Sequence, residues 1–113
     1  LVTVGGSATT DGGVGLLRAL GARFVDAQGR EIASGGGALA TLDAVDFSAL
    51  DRRALAARWR IACDVTNPLI GDDGAAAVFG PQKGANADDI AALDAGLGRL
   101  ATVVQARTGV DMR

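Results

Sequence analysis

The side chains best suited to chemistry lie in one segment, CDVTNPLIGDDGAAAVFGPQKGA, which runs from Cys63 to Ala85. It contains the carboxylate of Asp64, the amide of Asn67 and the ammonium of Lys83. Lys83 is the only lysine among 11 basic residues, and it lies between a proline that stiffens the backbone and a glycine that frees it. This setting is typical of a point charge aimed at a phosphate, although an isolated surface lysine would give the same pattern.

Asp64 follows a run that is interpreted as a strand entering the core, residues 58–65, in which polar and apolar residues alternate before apolar ones take over. Open α/β sheets bind their ligands at the carboxyl ends of strands, so this position suits a functional acid. An aspartate at a strand end is equally typical of a turn, where it accepts bonds from backbone N–H groups. The sequence leaves both roles open for Asp64, whereas Asn67, Asp72 and Asp73 are more typical of turn residues.

Composition restricts the kinds of site that these residues can form. The chain contains no histidine, which excludes Ser-His and Cys-His nucleophilic pairs and imidazole-based zinc sites among its own residues. Glu31 is the only glutamate, so any general base or metal ligand is essentially an aspartate. Cys63 is the only cysteine, and its apolar neighbours predict that it is buried and reduced.

Charge and hydropathy exclude two classes of partner. The net charge of −2 is spread along 113 residues without the basic stripe that nucleic acid or an anionic membrane requires. No apolar run approaches the roughly 18 residues of a spanning helix, and no signal peptide is evident. We therefore expect a cytoplasmic protein that binds neither nucleic acid nor membrane. Because the sequence opens at Leu1 with a strand already under way, we also expect a segment of a longer polypeptide.

The segment GGSATTDGG, residues 5–13, connects a short strand at 2–4 to a helix that begins near Val14. Asp11 is the expected N-cap of that helix. A glycine-rich loop before a helix suits anions, because free N–H groups point toward the ligand. Neither known phosphate signature fits, since no Gly-Lys-Ser/Thr ending follows and the G-x-G-x-x-G spacing is absent. On residue types alone, a tight turn capped by Asp11 is favoured over a ligand-binding loop.

The remaining elements predict an α/β domain. A hairpin is expected at 22–32, a short strand within 43–51, and helices near 52–57 and 74–79. The triple glycine 35–37 is interpreted as a flexible connector rather than a site. The longest helix begins at Asn86, where Asp89 completes a capping box. Its apolar stripe is typical of a scaffold and comprises Ile90, Leu93, Leu97, Leu100 and Val104.

Three blocks of sequence carry a family resemblance: GGSATTDGG at 5–13, GGGALA at 35–40 and the segment at 63–85. They resemble the bacterial glycerate kinase family of the GarK type, in the same order and over almost the whole chain. The long pattern N-P-L-x-G followed by G-A-x-x-V-F-G-P-Q-K-G-A makes the match specific. Family members usually have asparagine where this chain has Thr10, which puts any ligand contact of that amide in doubt here.

The resemblance implies an α/β fold with a mixed sheet and flanking helices. Enzymes of this family have two α/β domains, one built on a parallel flavodoxin-like sheet and one on a mixed sheet, with the active site between them. Residues 1–113 would then form a single segment of one domain, and the remaining parts of the enzyme would lie outside this chain. We expect the segment to form one wall of the cleft and to be inactive alone.

The resemblance also implies a reaction, the ATP-dependent phosphorylation of D-glycerate, with 2-phosphoglycerate favoured as the product and ATP and Mg²⁺ as cofactors. Phosphoryl transfer requires that the reacting groups be positioned and that the negative charge of the phosphates be neutralised. Lys83 would stabilise phosphate or the glycerate carboxylate, and Asp64 would act as base or Mg²⁺ ligand. N–H and hydroxyl groups for an anionic ligand would come from Gly5, Gly6, Ser7 and Thr9. Asp11 and Asn67 would orient or cap. The alternatives are a non-catalytic anion-binding or assembly module and a kinase for another small hydroxy acid.

Overall fold

The computed structural model describes residues 1–113 and contains two small sheets with flanking helices. The strands are β1 (Val2–Thr3), β2 (Arg23–Val25), β3 (Ala44–Asp46) and β4 (Ile61–Ala62). The α-helices are α1 (Val14–Ala19), α2 (Arg52–Ala56), α3 (Ala75–Phe79) and α4 (Ala87–Thr108), and two 3₁₀-helices span Gly36–Thr41 and Pro81–Lys83. Because β1 and β4 are parallel while β2 and β3 are antiparallel, the predicted α/β class with mixed strand directions is confirmed.

The 22-residue helix α4 supports the rest of the fold. The Asn86 side chain accepts a bond from the Asp89 N–H, and the Asp89 carboxylate accepts one from the Asn86 N–H, so the predicted capping box is confirmed. The predicted stripe packs inward, with Leu97 and Leu100 fully buried. Burying each leucine stabilises the fold by roughly 2 kcal/mol. None of the helices has both the length and the apolar character needed to cross a membrane.

The core is small and lies between α4 and the antiparallel sheet. Only 15 of 113 residues are buried, so most of the chain is surface. The buried cluster comprises Val14, Ala22, Phe24, Ile32, Leu39, Leu42, Val45, Ala76, Leu97 and Leu100. The hairpin predicted at 22–32 contributes three of its members, and the Ile32 N–H donates to the Phe24 carbonyl across the turn.

The triple glycine is not the flexible connector that its composition predicts. Gly36 is buried and begins the 3₁₀-helix Gly36–Thr41, which packs against α4. The reason is steric, since a residue without a side chain permits a backbone approach that any other residue would block. The ordering cost of these glycines is therefore offset by close packing.

The prediction that residues 58–65 enter the core is wrong for this chain. Only Ile61–Ala62 form a strand, Ile61 is 66% exposed, Val65 is 45% exposed, and Cys63 is exposed rather than buried. The physical reason is that β4 pairs only with the equally short β1. Parallel sheets are normally covered on both faces, so these apolar side chains are available to pack against further structure.

Candidate functional site

The parallel pairing of β1 with β4 brings two distant parts of the sequence to one edge. Val2 aligns with Ile61 and Thr3 with Ala62, so both strands end on the same side. The segment 5–13, here called the glycine-rich loop, follows β1, and Asp64 follows β4. The carboxyl ends of adjacent parallel strands are where α/β sheets bind their ligands. The predicted position of Asp64 at a strand end is confirmed.

A cavity of about 810 Å³ opens at this edge. Small-molecule sites commonly have volumes of roughly 300–1,000 Å³, so this one is large enough for a nucleotide or a small acid. Its wall contains every predicted site residue except Asn67, namely Gly5, Gly6, Ser7, Thr9, Asp11, Asp64 and Lys83. The Asn67 side chain instead donates to the Asp73 carbonyl at 3.0 Å. Asn67 thus holds its own loop together rather than facing the cavity.

Lys83 ties the glycine-rich loop to the connection between α3 and α4. Its Nζ donates to Ser7 Oγ at 3.1 Å and to the Thr9 carbonyl at 2.6 Å, and it lies 3.5 Å from Thr10 Oγ1. All three acceptors are neutral, and Lys83 forms no ion pair within the chain. The ammonium charge at the cavity wall is therefore not neutralised by a carboxylate of this chain.

The contact with Lys83 also orients the Ser7 hydroxyl. An ammonium group can only donate, so Ser7 Oγ accepts and its own proton points elsewhere. Ser7 is exposed and lines the cavity. Its hydroxyl is consequently available as a donor to an anionic group in that space.

The backbone of the glycine-rich loop supplies further donors. None of the N–H groups from Gly5 to Gly12 donates a hydrogen bond within the chain. Unpaired N–H groups in a turn form concave sites for anions, and they strengthen one another when they converge. The loop therefore carries unpaired N–H donors in the same cavity wall as the Lys83 ammonium group.

Asp11 supports the start of α1 from a position before the N-cap. The helix begins at Val14 and its N-cap is Gly13, so the N-cap assignment of Asp11 is wrong. Two glycines with left-handed backbones, Gly12 at φ 63° and Gly13 at φ 81°, separate Asp11 from the helix. The capping interaction itself is present, because the Asp11 carboxylate accepts bonds of 3.0 Å from both Gly13 and Gly15.

Replacing Asp11 with alanine is expected to lower the free energy of unfolding by about 1 kcal/mol, because two helix-start N–H groups lose their acceptor. Both carboxylate oxygens are already engaged, so we expect turnover to stay within about threefold of the wild type. Urea unfolding of the complete protein that contains this chain measures the first effect, with Asp72→Ala as the control. Normal stability combined with lost turnover would contradict the capping role.

Asp64 is the free carboxylate of the site. It accepts no hydrogen bond and forms no ion pair within the chain, and it lines the cavity. No group of three or more acidic or thiol side chains converges to hold a metal. Mg²⁺ often takes one or two protein carboxylates and completes its shell with substrate phosphates and water. Asp64 fits that arrangement as a single protein ligand.

Sequence reasoning missed two parts of the site. The cavity is also lined by seven apolar residues: Val4, Leu16, Val65, Leu69, Ala75, Phe79 and Leu97. The loop after Asp64 is anchored by Asp94 on α4, whose carboxylate accepts a 2.9 Å bond from the Gly71 N–H. Nothing in the local pattern distinguishes Asp94 from other polar residues of α4.

Comparisons with known proteins identify the family of the chain. The chain is 50% identical to Glycerate 2-kinase of Escherichia coli K12 and 48% identical to Glycerate kinase of Bacillus subtilis 168 over 113 residues. Each match covers all of this chain, which spans 30% of the length of each relative.

A solved structure, putative glycerate kinase 2 from Salmonella typhimurium LT2, superimposes with a TM-score of 0.93 at 54% identity. This match covers 96% of the chain and 30% of that structure. The model of the family described as Glycerate kinase family matches residues 1–113. The chain therefore belongs to the glycerate kinase family.

Proposed function

We propose that this chain forms one wall of the active-site cleft of an enzyme that transfers the γ-phosphoryl group of ATP to a hydroxyl of D-glycerate. The observation that carries the proposal is Lys83, an ammonium group held by neutral oxygens at the wall of a ligand-sized cavity. The names of the relatives as glycerate kinases support the choice of substrate. The Escherichia coli relative's name, Glycerate 2-kinase, supports 2-phosphoglycerate as the product.

In this reaction one phosphorus–oxygen bond to the leaving nucleotide breaks, and a new one forms to the glycerate oxygen. The chain's part is to hold the charged groups in line and to offset their charge. Lys83 and the unpaired N–H groups of the glycine-rich loop attract phosphate oxygens or the glycerate carboxylate. The Ser7 hydroxyl donates to the same anion.

Asp64 has one of two roles in this proposal. As a base it accepts the proton that leaves the glycerate hydroxyl, and as a ligand it holds Mg²⁺ through its free carboxylate. Mg²⁺, when bound with ATP, supplies charge neutralisation of the phosphates. The absence of any bond from this chain to the Asp64 carboxylate is consistent with either role.

The proposal is tested by a coupled assay of ADP release with ATP, Mg²⁺ and D-glycerate, in the complete protein that contains residues 1–113. D-lactate is the matched comparison, because it keeps the carboxylate and the 2-hydroxyl but lacks the 3-hydroxyl. Phosphorus NMR of the product distinguishes 2-phosphoglycerate from 3-phosphoglycerate. Turnover with D-glycerate at least about a hundredfold above other hydroxy acids is the expected result.

Two other outcomes would replace the proposal. Binding of ATP without turnover would indicate an anion-binding or assembly module, and preferred turnover of a different acid would indicate another kinase. We also expect residues 1–113 alone to be inactive, since β1 and β4 form a sheet of only two strands and both residues of β4 are exposed, so other parts of the protein would complete the cleft. Activity of the isolated segment would contradict the proposed division of the cleft.

A further inference from the structure

Gly36 lies against the backbone of the glycine-rich loop at Thr10. A side-chain carbon at this position would overlap the Thr10 carbonyl oxygen and would lie 2.6 Å from Leu93 Cδ2. Gly36 is buried, although it also lines a second cavity of about 410 Å³, so the obstruction comes from these two contacts. The loop backbone therefore rests directly on the 3₁₀-helix Gly36–Thr41.

The same close packing continues to α4. A side-chain carbon at Gly96 would lie 3.0 Å from Leu39 Cβ and 3.3 Å from the Gly36 carbonyl oxygen. Two glycines thus let three layers approach one another: α4, the 3₁₀-helix and the loop. Close-packed layers transmit a displacement rather than absorb it. The position of the glycine-rich loop is therefore set by the 3₁₀-helix and α4, on which it packs.

The position of the loop determines its hydrogen bonds with Lys83. Thr10 adjoins Thr9, whose carbonyl accepts the shortest of the Lys83 bonds at 2.6 Å, and the Thr10 hydroxyl lies 3.5 Å from the same Nζ. A shift of about 1 Å away from Lys83 would stretch the bond to the Thr9 carbonyl out of the hydrogen-bonding range and would separate the Thr10 hydroxyl, which is already at the limit of that range. We propose that Gly36 is a positioning residue, which holds the glycine-rich loop in the position where the loop and Lys83 bind the same anion.

The triple glycine contains its own control. A side-chain carbon at Gly37 would meet no atom within 4 Å, and Gly37 does not have a positive φ. Gly36→Ala and Gly37→Ala therefore add the same methyl group to neighbouring positions, and only the first displaces the loop. Gly35 is unsuitable as a control, because its φ of 96° would strain any alanine.

Hydrogen exchange tests the positioning role without reference to activity. The N–H groups of Gly13 and Gly15 donate to Asp11, which adjoins Thr10. Their exchange rates therefore report on whether the loop keeps its position at Thr10. In the complete protein, Gly36→Ala is expected to speed exchange at these amides at least about tenfold, while Gly37→Ala leaves it unchanged. Equal exchange in wild type and Gly36→Ala would overturn the inference.

Kinetics supply a second readout, which rests on the proposed function. Gly36→Ala is expected to raise KM for ATP or D-glycerate about tenfold while kcat stays within threefold, because the loop contributes binding groups. A general loss of folding would lower the active fraction and kcat without changing KM. If the wild type does not turn over D-glycerate, the proposed function fails, and the exchange result still decides the role of Gly36.

If Gly36→Ala is insoluble, a second pair of variants makes the same comparison. Leu93→Ala removes the contact on the α4 side, so Gly36→Ala added to it has room toward the helix but still meets the Thr10 carbonyl. The double variant is expected to show faster exchange at Gly13 and Gly15 than Leu93→Ala alone. Equal exchange in the two would overturn the inference.

Discussion

Lys83→Met in the complete protein is expected to lower kcat/KM for phosphoryl transfer at least about a hundredfold, which corresponds to roughly 2.7 kcal/mol of barrier. Methionine keeps much of the apolar stem and removes both the charge and the donors. The effect is expected to be large because Lys83 has no carboxylate partner in this chain, so its charge is not already offset. Steady-state kinetics with ATP and D-glycerate measure the change.

Three further variants separate the causes of that loss. Arg52→Ala removes the same charge from an exposed position outside the cavity and is expected to stay within twofold of the wild type. Ser7→Ala removes one contact of the ammonium while keeping its charge, so about a tenfold loss is expected. Lys83→Arg is expected to remain impaired, since a planar guanidinium does not reproduce three contacts made by one nitrogen. Normal rates in Lys83→Met would remove Lys83 from the mechanism.

The sequence predicted best those features that local rules decide. The capping box of Asn86 and Asp89 and the spacing of leucines along α4 involve residues three or four apart, and the structure contains both. The hairpin at 22–32 is local in the same sense. Periodicity and capping act within one element, so they are readable before the fold is known.

Features that depend on contacts between residues far apart in the sequence could not be predicted from local patterns. Lys83 and Ser7 are 76 residues apart, and no pattern near either one encodes their hydrogen bond. Gly36 has the composition of a connector, yet its role is set by the Thr10 carbonyl above it. Cys63 has the neighbours of a buried strand, but burial requires covering elements, and both residues of β4 as well as Cys63 are exposed in this chain. The family resemblance grouped the site residues, which their local patterns alone did not.

Asp64→Asn is the second variant for which we expect a loss of at least about a hundredfold in kcat/KM, or roughly 2.7 kcal/mol. The amide keeps the size of the side chain but neither accepts a proton at neutral pH nor binds Mg²⁺ as strongly as a carboxylate. Asp72→Asn makes the same change in charge at an exposed residue outside the cavity and is expected to stay within twofold of the wild type.

The dependence of the Asp64→Asn rate on Mg²⁺ separates the two roles of this carboxylate. If Asp64 holds the metal, the variant needs at least about tenfold more Mg²⁺ for half-maximal rate, and excess Mg²⁺ restores part of the activity. If Asp64 is the base, kcat falls while the Mg²⁺ requirement is unchanged, because only the proton acceptor is missing. Asp64→Glu adds a second comparison. A longer carboxylate can still bind a flexible metal–phosphate complex, but it loses the alignment that a base needs, so this variant is expected to keep more activity if Asp64 is a metal ligand than if it is the base. Wild-type rates in Asp64→Asn at limiting Mg²⁺ would exclude both roles for Asp64 and leave Lys83 and the glycine-rich loop as the groups of this chain that are proposed to bind the anion.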